Sequence, residues 1–294
     1  MSKMTVSDYQ RLINDNIEKY VPFCKFGVDI VSSAMRYSLS IGGKRIRPML
    51  VLEFCRVCGG DIDKAVPLAV AVEMVHTYSL IHDDLPCMDD DDMRRGMPSC
   101  HIRYGEEYAL LAGDALLTAA FGVIAGSEIA AEKPEVAVKA IKALSELAGV
   151  NGMIGGQEID LTYENKEATV EVLEVLDSLK TGALIRCAAY LGVISACDNE
   201  EFLEAADVYS KNIGHAFQIV DDILDVTGDE NQLGKPIGSD AQCGKSTYVS
   251  LLGLEKSREY VDKLTDDAVN ALSVFGDEAD FLRELAYSLV KRNN

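Results

Sequence analysis

No proline interrupts the chain from Glu135 to Lys235, and across much of the sequence apolar residues recur at three- and four-residue spacing. Segments such as "VEVLEVLDSLKTGALIRCAAYLGVISA" and "FLEAADVYSKNIGHAFQIVDDILDV" place polar residues in the intervals, which is the period of a helix buried on one side. No run of alternating strands separated by hairpin signals is found. The pattern predicts an all-α protein. No Gly/Ser- or Pro-rich linker and no fixed-period repeat divides it, so a large single-domain helical bundle over residues 1–294 is expected. Ala65 to Ile81 is apolar on several faces and is expected to be buried all round or to pack against another subunit.

Charge narrows the partners. The 28 Lys and Arg against 48 Asp and Glu give a formal net charge of -20, which argues against a broad nucleic-acid surface and against anchoring on anionic lipid. Cysteines at 24, 55, 58, 87, 100, 187, 197 and 243 form no disulfide framework and read as thiols of a reducing compartment. The Cys55/Cys58 pair lacks a second pair, sits among apolar neighbours and is assigned no chemistry. The first residues lack a signal-peptide core, and no uninterrupted apolar run of about 20 residues follows. A cytoplasmic protein with no membrane anchor is expected.

The stretch "YSLIHDDLPCMDDDDMRRG" sets six aspartates beside two arginines. Two carboxylates about 4 Å apart repel by ~4 kcal/mol at an effective dielectric of ~20, so the run is either a solvated loop or a metal site. Ala65 to Asp84 reads as a helix ending near Pro86, which puts His76, Ser79 and Asp83 on one face. Asp89 lies six residues beyond Asp83, out of helical register. The two can share an ion only if "LPCM" breaks or bulges, for which Pro86 supplies a reason.

A second acidic set, Gln218, Asp221, Asp222 and Asp225, recurs at +3, +4 and +7 among apolar neighbours. Two oxygen-rich sites with few ligands each suit Mg²⁺ completed by water and substrate phosphates. The basic residues agree with a phosphate-bearing substrate. "IGGKRIRP" puts Lys44 and Arg47 at a predicted helix N-terminus, where an anion is favoured. Arg94 and Arg95 follow the aspartates; Lys180 lies in "LKTGAL", and Lys235 and Lys245 lie in "GKPIGSDAQCGKST".

Taken in order, "IGGKRIRP", "HTYSLIHDDLPCMDDDDMRRGMPSCH", "YGEEYALLAGDALL", "GMIGGQEIDL", "KTGALIRCAA", "FQIVDDILDVTGD" and "LGKPIGSDAQCGKSTY" resemble the trans-isoprenyl diphosphate synthases over nearly the whole chain, most closely the bacterial farnesyl diphosphate synthases. The resemblance implies an isoprenoid synthase fold around a deep central cavity, in a homodimer. It implies that Asp83, Asp89 and Asp221 contact three Mg²⁺ ions, for which Mn²⁺ could substitute, on the diphosphate of an allylic substrate. Arg94, Lys180, Lys235 and Lys245 would neutralise that diphosphate. Lys44, Arg47, His76 and Arg95 would hold isopentenyl diphosphate. The backbone near Lys180 and Thr181 and the side chain of Gln218 would stabilise the allylic cation. No nucleophilic residue is needed, which agrees with the lack of an evident Ser/His/Asp arrangement. The roles of Gln157 and Asp160 stay open between lining the cavity and bracing the metal site. Asp90, Asp91 and Asp92 are expected to support the loop rather than bind metal.

Tyr78 and Ser79, the fifth and fourth residues before Asp83, are expected to set product length, with Tyr78 as a floor. The resemblance then implies dimethylallyl, geranyl and farnesyl diphosphate in sequence, with C15 as the main product; geranyl or geranylgeranyl diphosphate synthesis would be the same chemistry at another length. A class I terpene cyclase has no use for the Lys44, Arg47 and Arg95 site. An HD-type phosphohydrolase needs further histidine ligands. A non-catalytic subunit usually shows a degraded aspartate motif, and here both are intact.

Overall fold

A computed structural model describes residues 4–23, 26–164, 166–228 and 245–291. The fold is all-α, as the spacing predicts, and the chain divides into two compact units. The first comprises Met1–Lys142 with Ile194–Cys197; the second comprises Ala143–Val193 with Asp198–Asn294.

The first unit contains α1 (Val6–Ile17), α2 (Ile30–Ser40), α3 (Ile46–Val57), α4 (Ile62–Asp83), α5 (Cys100–Tyr104), α6 (Glu106–Ala125) and α7 (Glu128–Glu132). Helix α8 (Pro134–Ala148) runs in sequence from the first unit into the second. Helix α4 starts at Asp61, whose side chain accepts from the Asp63 amide, and packs on α3 and α6. Its residues from Ala65 to Val75 are all buried. Each large apolar side chain so buried contributes about 1.5–3 kcal/mol, which explains why a helix apolar on all faces can be the core of this unit.

Two carboxylates are also buried there, and each is matched. Glu53 takes the Arg56 guanidinium and the Tyr9 hydroxyl. Glu73 takes Arg45, whose other donors reach the Leu39 carbonyl and Asn14 Oδ1. Arg45 adopts a left-handed backbone (φ 53°) immediately before α3, so the same residue turns the chain and carries the buried pair.

The second unit contains α9 (Met153–Tyr163), α10 (Val170–Asp177), a π-helical turn (Ser178–Gly182), α12 (Glu200–Thr227), α13 (Tyr248–Leu252), α14 (Leu254–Ala271) and α15 (Asp280–Val290); most of α11 (Ala183–Ala196) also belongs to it. Helix α12 is its spine and packs on α14, α13, α15 and the π turn. Asn199 caps its start by accepting from the Phe202 amide. Ala216, Ile219, Val220, Tyr248, Val261 and Leu264 form a continuous apolar cluster on this spine.

Two details add to the sequence reading. Among the described residues there is one strand pair, β1 (Met93–Arg94) with β2 (Met97–Pro98), too short to leave a periodic signal. Three helical segments, Ile62–Asp83, Glu106–Ala125 and Val170–Ala196, are long and apolar enough by composition to cross a membrane. Polar residues interrupt all three, so none is an uninterrupted apolar run of about 20 residues. In α4 most of that apolar surface is buried within the protein; in α6 two-thirds of it is not.

Removing Arg45 leaves Glu73 as an uncompensated buried charge. Arg45→Met should cost about 3–5 kcal/mol in urea unfolding, against under about 1 kcal/mol for Arg11→Met at the exposed Asp8 pair. An equal, small loss in both would show that the buried pair does not anchor this unit.

Candidate active site

The first charged centre is built by the end of α4 and the start of α3. Helix α4 stops at Asp83, and the chain folds back so that the Asp89 amide donates to the Asp83 carbonyl at 2.8 Å. The Met88 and Asp90 amides both donate to the Leu85 carbonyl. The backbone thus breaks in "LPCM", as it must if Asp83 and Asp89 are to share an ion. It returns Asp89 to the last turn of α4, six residues on.

The neighbouring acids are used differently. Asp84 is buried and takes Arg94, whose Nε lies 2.9 Å from Oδ1 and whose Nη2 makes a second, short contact. Burial raises the Asp84 carboxyl above its ordinary value, partly offset by Arg94. Asp91 lies 3.4 Å from the same guanidinium. Asp90 takes a left-handed backbone, and the Asp92 carbonyl accepts the Ser99 amide. Asp89 is exposed and Asp83 half-buried.

The short hairpin explains why adjacent arginines part company. Arg95 and Gly96 form its turn with φ of 53° and 77°, the positive pair that two-residue hairpins need. Arg94 therefore reaches Asp84 while Arg95 donates to the Gly42 carbonyl. The Arg95 guanidinium lies against Gly43, where a Cβ would come within 2.4 Å of Nη1, so residue 43 must be glycine for this approach.

Arg47 occupies the first turn of α3, one residue from the helix start, and its Nη1 lies 3.5 Å from His76 Nε2. The Arg47 Nε is buried with no partner. Burial, with Arg95 nearby, lowers Arg47 to about 10 despite Glu73. His76 is pushed well below the usual imidazole range by burial and then by Arg47, Arg95, Arg45 and Arg94. Near neutral pH it is an uncharged member of a cationic group. Lys44 is exposed beside Gly43, and its carbonyl accepts from Gln10. Arg47, His76 and Arg95 thus form one neighbourhood with a buried donor unused, as an anion site requires.

Tyr78 lies one turn before His82 on α4, buried, with its ring edge-on to the imidazole at 5.6 Å and its hydroxyl without a partner. Burial and then Asp83 raise it to about 12. The Ser79 hydroxyl donates to the His76 carbonyl at 2.9 Å. His82 fills the space above Gly113 of α6, where a Cβ would come within 2.1 Å of Nε2.

The second charged centre lies on α9, the π turn, α12 and the segment before α13. Lys180 and Thr181 belong to the π turn. A π insertion in a helix leaves a carbonyl without its regular partner and is frequent at functional sites. Gly156 of α9 packs on this turn so closely that a Cβ would lie 2.1 Å from the Lys180 amide nitrogen. On the other side, Gly214 of α12 would place a Cβ 3.2 Å from the Gly182 Cα, one turn before Gln218.

Lys180 pairs closely with Asp160, and the Lys245 ammonium lies 3.8 Å from the same carboxylate. Asp221 is exposed on α12 and Asp225 buried, whereas Asp222 Oδ2 accepts the Tyr248 amide at 2.7 Å. Lys235 lies outside the described residues. Gln157 sits three residues before Asp160, its amide nitrogen buried and unpartnered.

Asp177, unassigned from sequence, lies at the end of α10 and is buried beside this group. Burial, with Asp222 and Asp160 adding and Tyr248 and Lys180 opposing, pushes its carboxyl up to about 8. Its helical spacing made it one polar position among many, so nothing local marked it out.

Among the described residues no three His, Cys, Asp or Glu side chains stand close enough to hold an ion alone. Sets of one or two hard oxygen donors, such as Asp83 with the returned Asp89, fit Mg²⁺ that keeps water and substrate oxygens in its remaining positions.

Residues 28–279 match the family model described as Polyprenyl synthetase. The chain is 43% identical over 284 residues to the farnesyl diphosphate synthase of Escherichia coli (strain K12), covering 95% of each. It is 42% identical over 289 residues to the geranylgeranyl diphosphate synthase of Cyanophora paradoxa, covering 97% of this chain and 95% of that one. The crystal structure of an FPP/GFPP synthase from Zymomonas mobilis is similar at a TM-score of 0.87 with 37% identity, over 97% of both chains.

The raised Asp177 carboxyl has a pH consequence. From its ordinary value of 3.8 up to about 8 the folded protein holds a proton that the unfolded chain has lost, so this group's contribution falls as pH rises through that window. Without divalent metal, Asp177→Asn should gain more than about 1 kcal/mol of stability over the parent between pH 5 and pH 8. A difference that does not change with pH would place the ordinary carboxylate range at Asp177.

Proposed function

Because this chain belongs to the polyprenyl synthetase family, as a trans-prenyl diphosphate synthase, we propose that it holds two diphosphates, one on basic side chains without metal and one on metal ions with further basic side chains, and that the main product is C15 farnesyl diphosphate. The observation that carries the product length is Tyr78, an aromatic buried five residues before Asp83 and edge-on to His82. Farnesyl diphosphate synthases among the relatives support that length. The geranylgeranyl relative makes C20 the competing outcome.

In this reading Lys44, Arg47, His76 and Arg95 hold isopentenyl diphosphate without metal. The unpartnered Arg47 Nε and the uncharged His76 supply donors to phosphate oxygens. Asp83, Asp89 and Asp221 would hold the Mg²⁺ ions, with Mn²⁺ as a substitute. When bound, Mg²⁺ neutralises the allylic diphosphate and favours departure of pyrophosphate. Arg94, Lys180, Lys235 and Lys245 add positive charge at the same diphosphate. For Lys180 and Lys245 this means exchanging Asp160 for phosphate oxygens, since both sit at that carboxylate without substrate.

Carbonyls of the π turn at Lys180 and Thr181, with the Gln218 side-chain oxygen, face the positive charge that develops on the allylic carbon. Isopentenyl diphosphate then adds through its double bond, and the departing pyrophosphate takes the final proton. Apolar walls keep water from the cation. The same cycle accepts dimethylallyl and then geranyl diphosphate. The whole chain acts as one synthase domain in the cytoplasm, as a homodimer joined through α6, whose Leu110 and Leu111 are exposed.

Incubation of the purified protein with Mg²⁺, labelled isopentenyl diphosphate and either dimethylallyl or geranyl diphosphate should yield mainly C15 alcohol after dephosphorylation. Tyr78→Ala should shift the product to C20 and longer. An unchanged C15 product would move the floor elsewhere, and no elongation by the parent would remove the synthase reading. Leu110→Lys with Leu111→Lys should halve the mass seen by light scattering; an unchanged mass would take α6 out of the subunit contact.

A further inference from the structure

Helix α6 carries two glycines whose surroundings differ. At Gly122 an added Cβ would meet nothing within 4 Å, whereas at the buried Gly113 it would come within 2.1 Å of His82 Nε2 and 2.4 Å of His82 Cδ2. Glycine in a helix interior is less stable than alanine, and at Gly113 the neighbour that uses the bare surface is this imidazole of α4. His82 Nε2 lies 3.1 Å from the Leu110 carbonyl of α6 and 3.9 Å from Asp114 Oδ1. A carbonyl only accepts, so Nε2 is the protonated nitrogen of this contact, and α6 fixes the direction of the ring.

One turn earlier on α4, the Tyr78 ring stands edge-on to that imidazole, with centroids 5.6 Å apart and planes at 78°, and its buried hydroxyl has no partner. A phenol without a hydrogen bond is held in its rotamer by packing alone, and a growing apolar chain that presses on it meets only that resistance. Among its neighbours, His82 is held in turn from a second helix. We propose that His82, seated on Gly113 and bonded to the Leu110 carbonyl, is a positioning residue for product length: it keeps the Tyr78 ring across the path of the growing chain. His82 touches no reacting atom. Freed from α6, the imidazole turns away, Tyr78 loses its edge contact, and the space beyond the ring opens to a further five-carbon unit. The diphosphate groups are held by other residues, so their binding is left as it was.

This rests on the reading of Tyr78 as the floor, and the test separates the two. The full-length parent, Tyr78→Ala, His82→Ala, Gly113→Ala, Gly122→Ala and the double variant of Tyr78→Ala with His82→Ala are incubated with Mg²⁺ and labelled isopentenyl diphosphate. Geranyl and, separately, farnesyl diphosphate serve as primers, and the dephosphorylated products are sized. KM for geranyl and for isopentenyl diphosphate and the Mg²⁺ concentration at half-maximal rate are measured on the same proteins. His82→Ala and Gly113→Ala should each raise the ratio of C20 to C15 about tenfold over the parent, the most that one edge-on ring contact supports, with the three constants within about twofold. Gly122→Ala, the same change on the same helix where nothing is displaced, should keep the parent's ratio. The double variant should give the products of Tyr78→Ala and none longer, because His82 acts through Tyr78.

His82→Ala removes the imidazole and inserts nothing, so the test survives if Gly113→Ala folds poorly. Product size is also a readout that lost stability alone does not move. Tyr78→Ala lengthening the product while His82→Ala keeps the parent's ratio would overturn the positioning role. So would a double variant whose products exceed those of Tyr78→Ala, which would make His82 a wall of the cavity in its own right. A raised Mg²⁺ requirement accompanying the loss of C15 would overturn it too, by tracing the effect to the neighbouring Asp83. An unchanged C15 product from Tyr78→Ala would instead strike the floor reading itself, and the positioning role with it.

Discussion

A chain with 48 acidic and 28 basic residues that has to hold anions must keep a few cations from being neutralised by its own carboxylates. Nearly every structural feature of the two charged centres answers to that competition. Arg45 is surrendered entirely: it is buried against Glu73 and serves the fold. Arg94 is shared between Asp84 and Asp91, and Lys180 and Lys245 share Asp160. The pairs with Asp91 and Asp160 are partly open to solvent, where an ion pair is worth roughly 0–1 kcal/mol, so a ligand carrying several phosphate charges can displace the carboxylate. Arg47 is the opposite case. Its Nε is buried and unpartnered, and its charge is raised in energy by burial and by Arg95. In the proposed reading an anion at Arg47 relieves that cost.

Backbone geometry decides which cation goes to which fate. Arg45, Asp90 and Arg95 are the described non-glycine residues with positive φ, and each stands where a charged motif changes direction. Left-handed backbone costs a non-glycine residue roughly 1–2 kcal/mol, so these turns persist only because the contacts they create offset the strain. At Arg45 the offset is the buried ion pair. At Arg95 it is the bond to the Gly42 carbonyl, made possible by the bare face of Gly43. In the second unit the same task falls to the π turn and to Gly156, whose missing side chain lets α9 meet the Lys180 backbone directly.

These mechanisms explain what could be read from the sequence and what could not. Contacts within one helix were legible, because spacing alone places Gln218, Asp221, Asp222 and Asp225 on a common face and His76, Ser79 and Asp83 on another. The bulge after Asp83 was legible too, since six residues cannot close on a regular helix and Pro86 cannot continue one. The division of labour within each pair of neighbours was hidden. Asp84 and Asp83 are identical in composition and adjacent, yet one is buried on Arg94 and the other is half-open. Only the hairpin turn, two residues per strand, separates Arg94 from Arg95. Asp160 could not be told from a metal brace because its partners are 20 and 85 positions away in the chain, as counted from Lys180 and Lys245.

Asp177 shows the deeper reason. Helical periodicity classes a residue by whether its position faces the core, and an aspartate that faces the core reads as a lapse in the pattern unless its partner is known. Here Asp222, Tyr248 and Asp160, which act on it, come from other stretches of the chain, and burial holds the carboxyl well above its ordinary range. Places where sequence logic and structure disagree in this way are where a fold departs from the cheapest packing. In this protein those places, Arg47, Asp84 and Asp177, all border the charged centres. Elsewhere the core of the first unit holds Glu53 and Glu73, each matched by an arginine. Buried charge therefore has two settings here: Arg45 and Glu73 neutralise each other within the first unit, whereas Arg47, Asp84 and Asp177 carry perturbed groups at the edge of the charged centres.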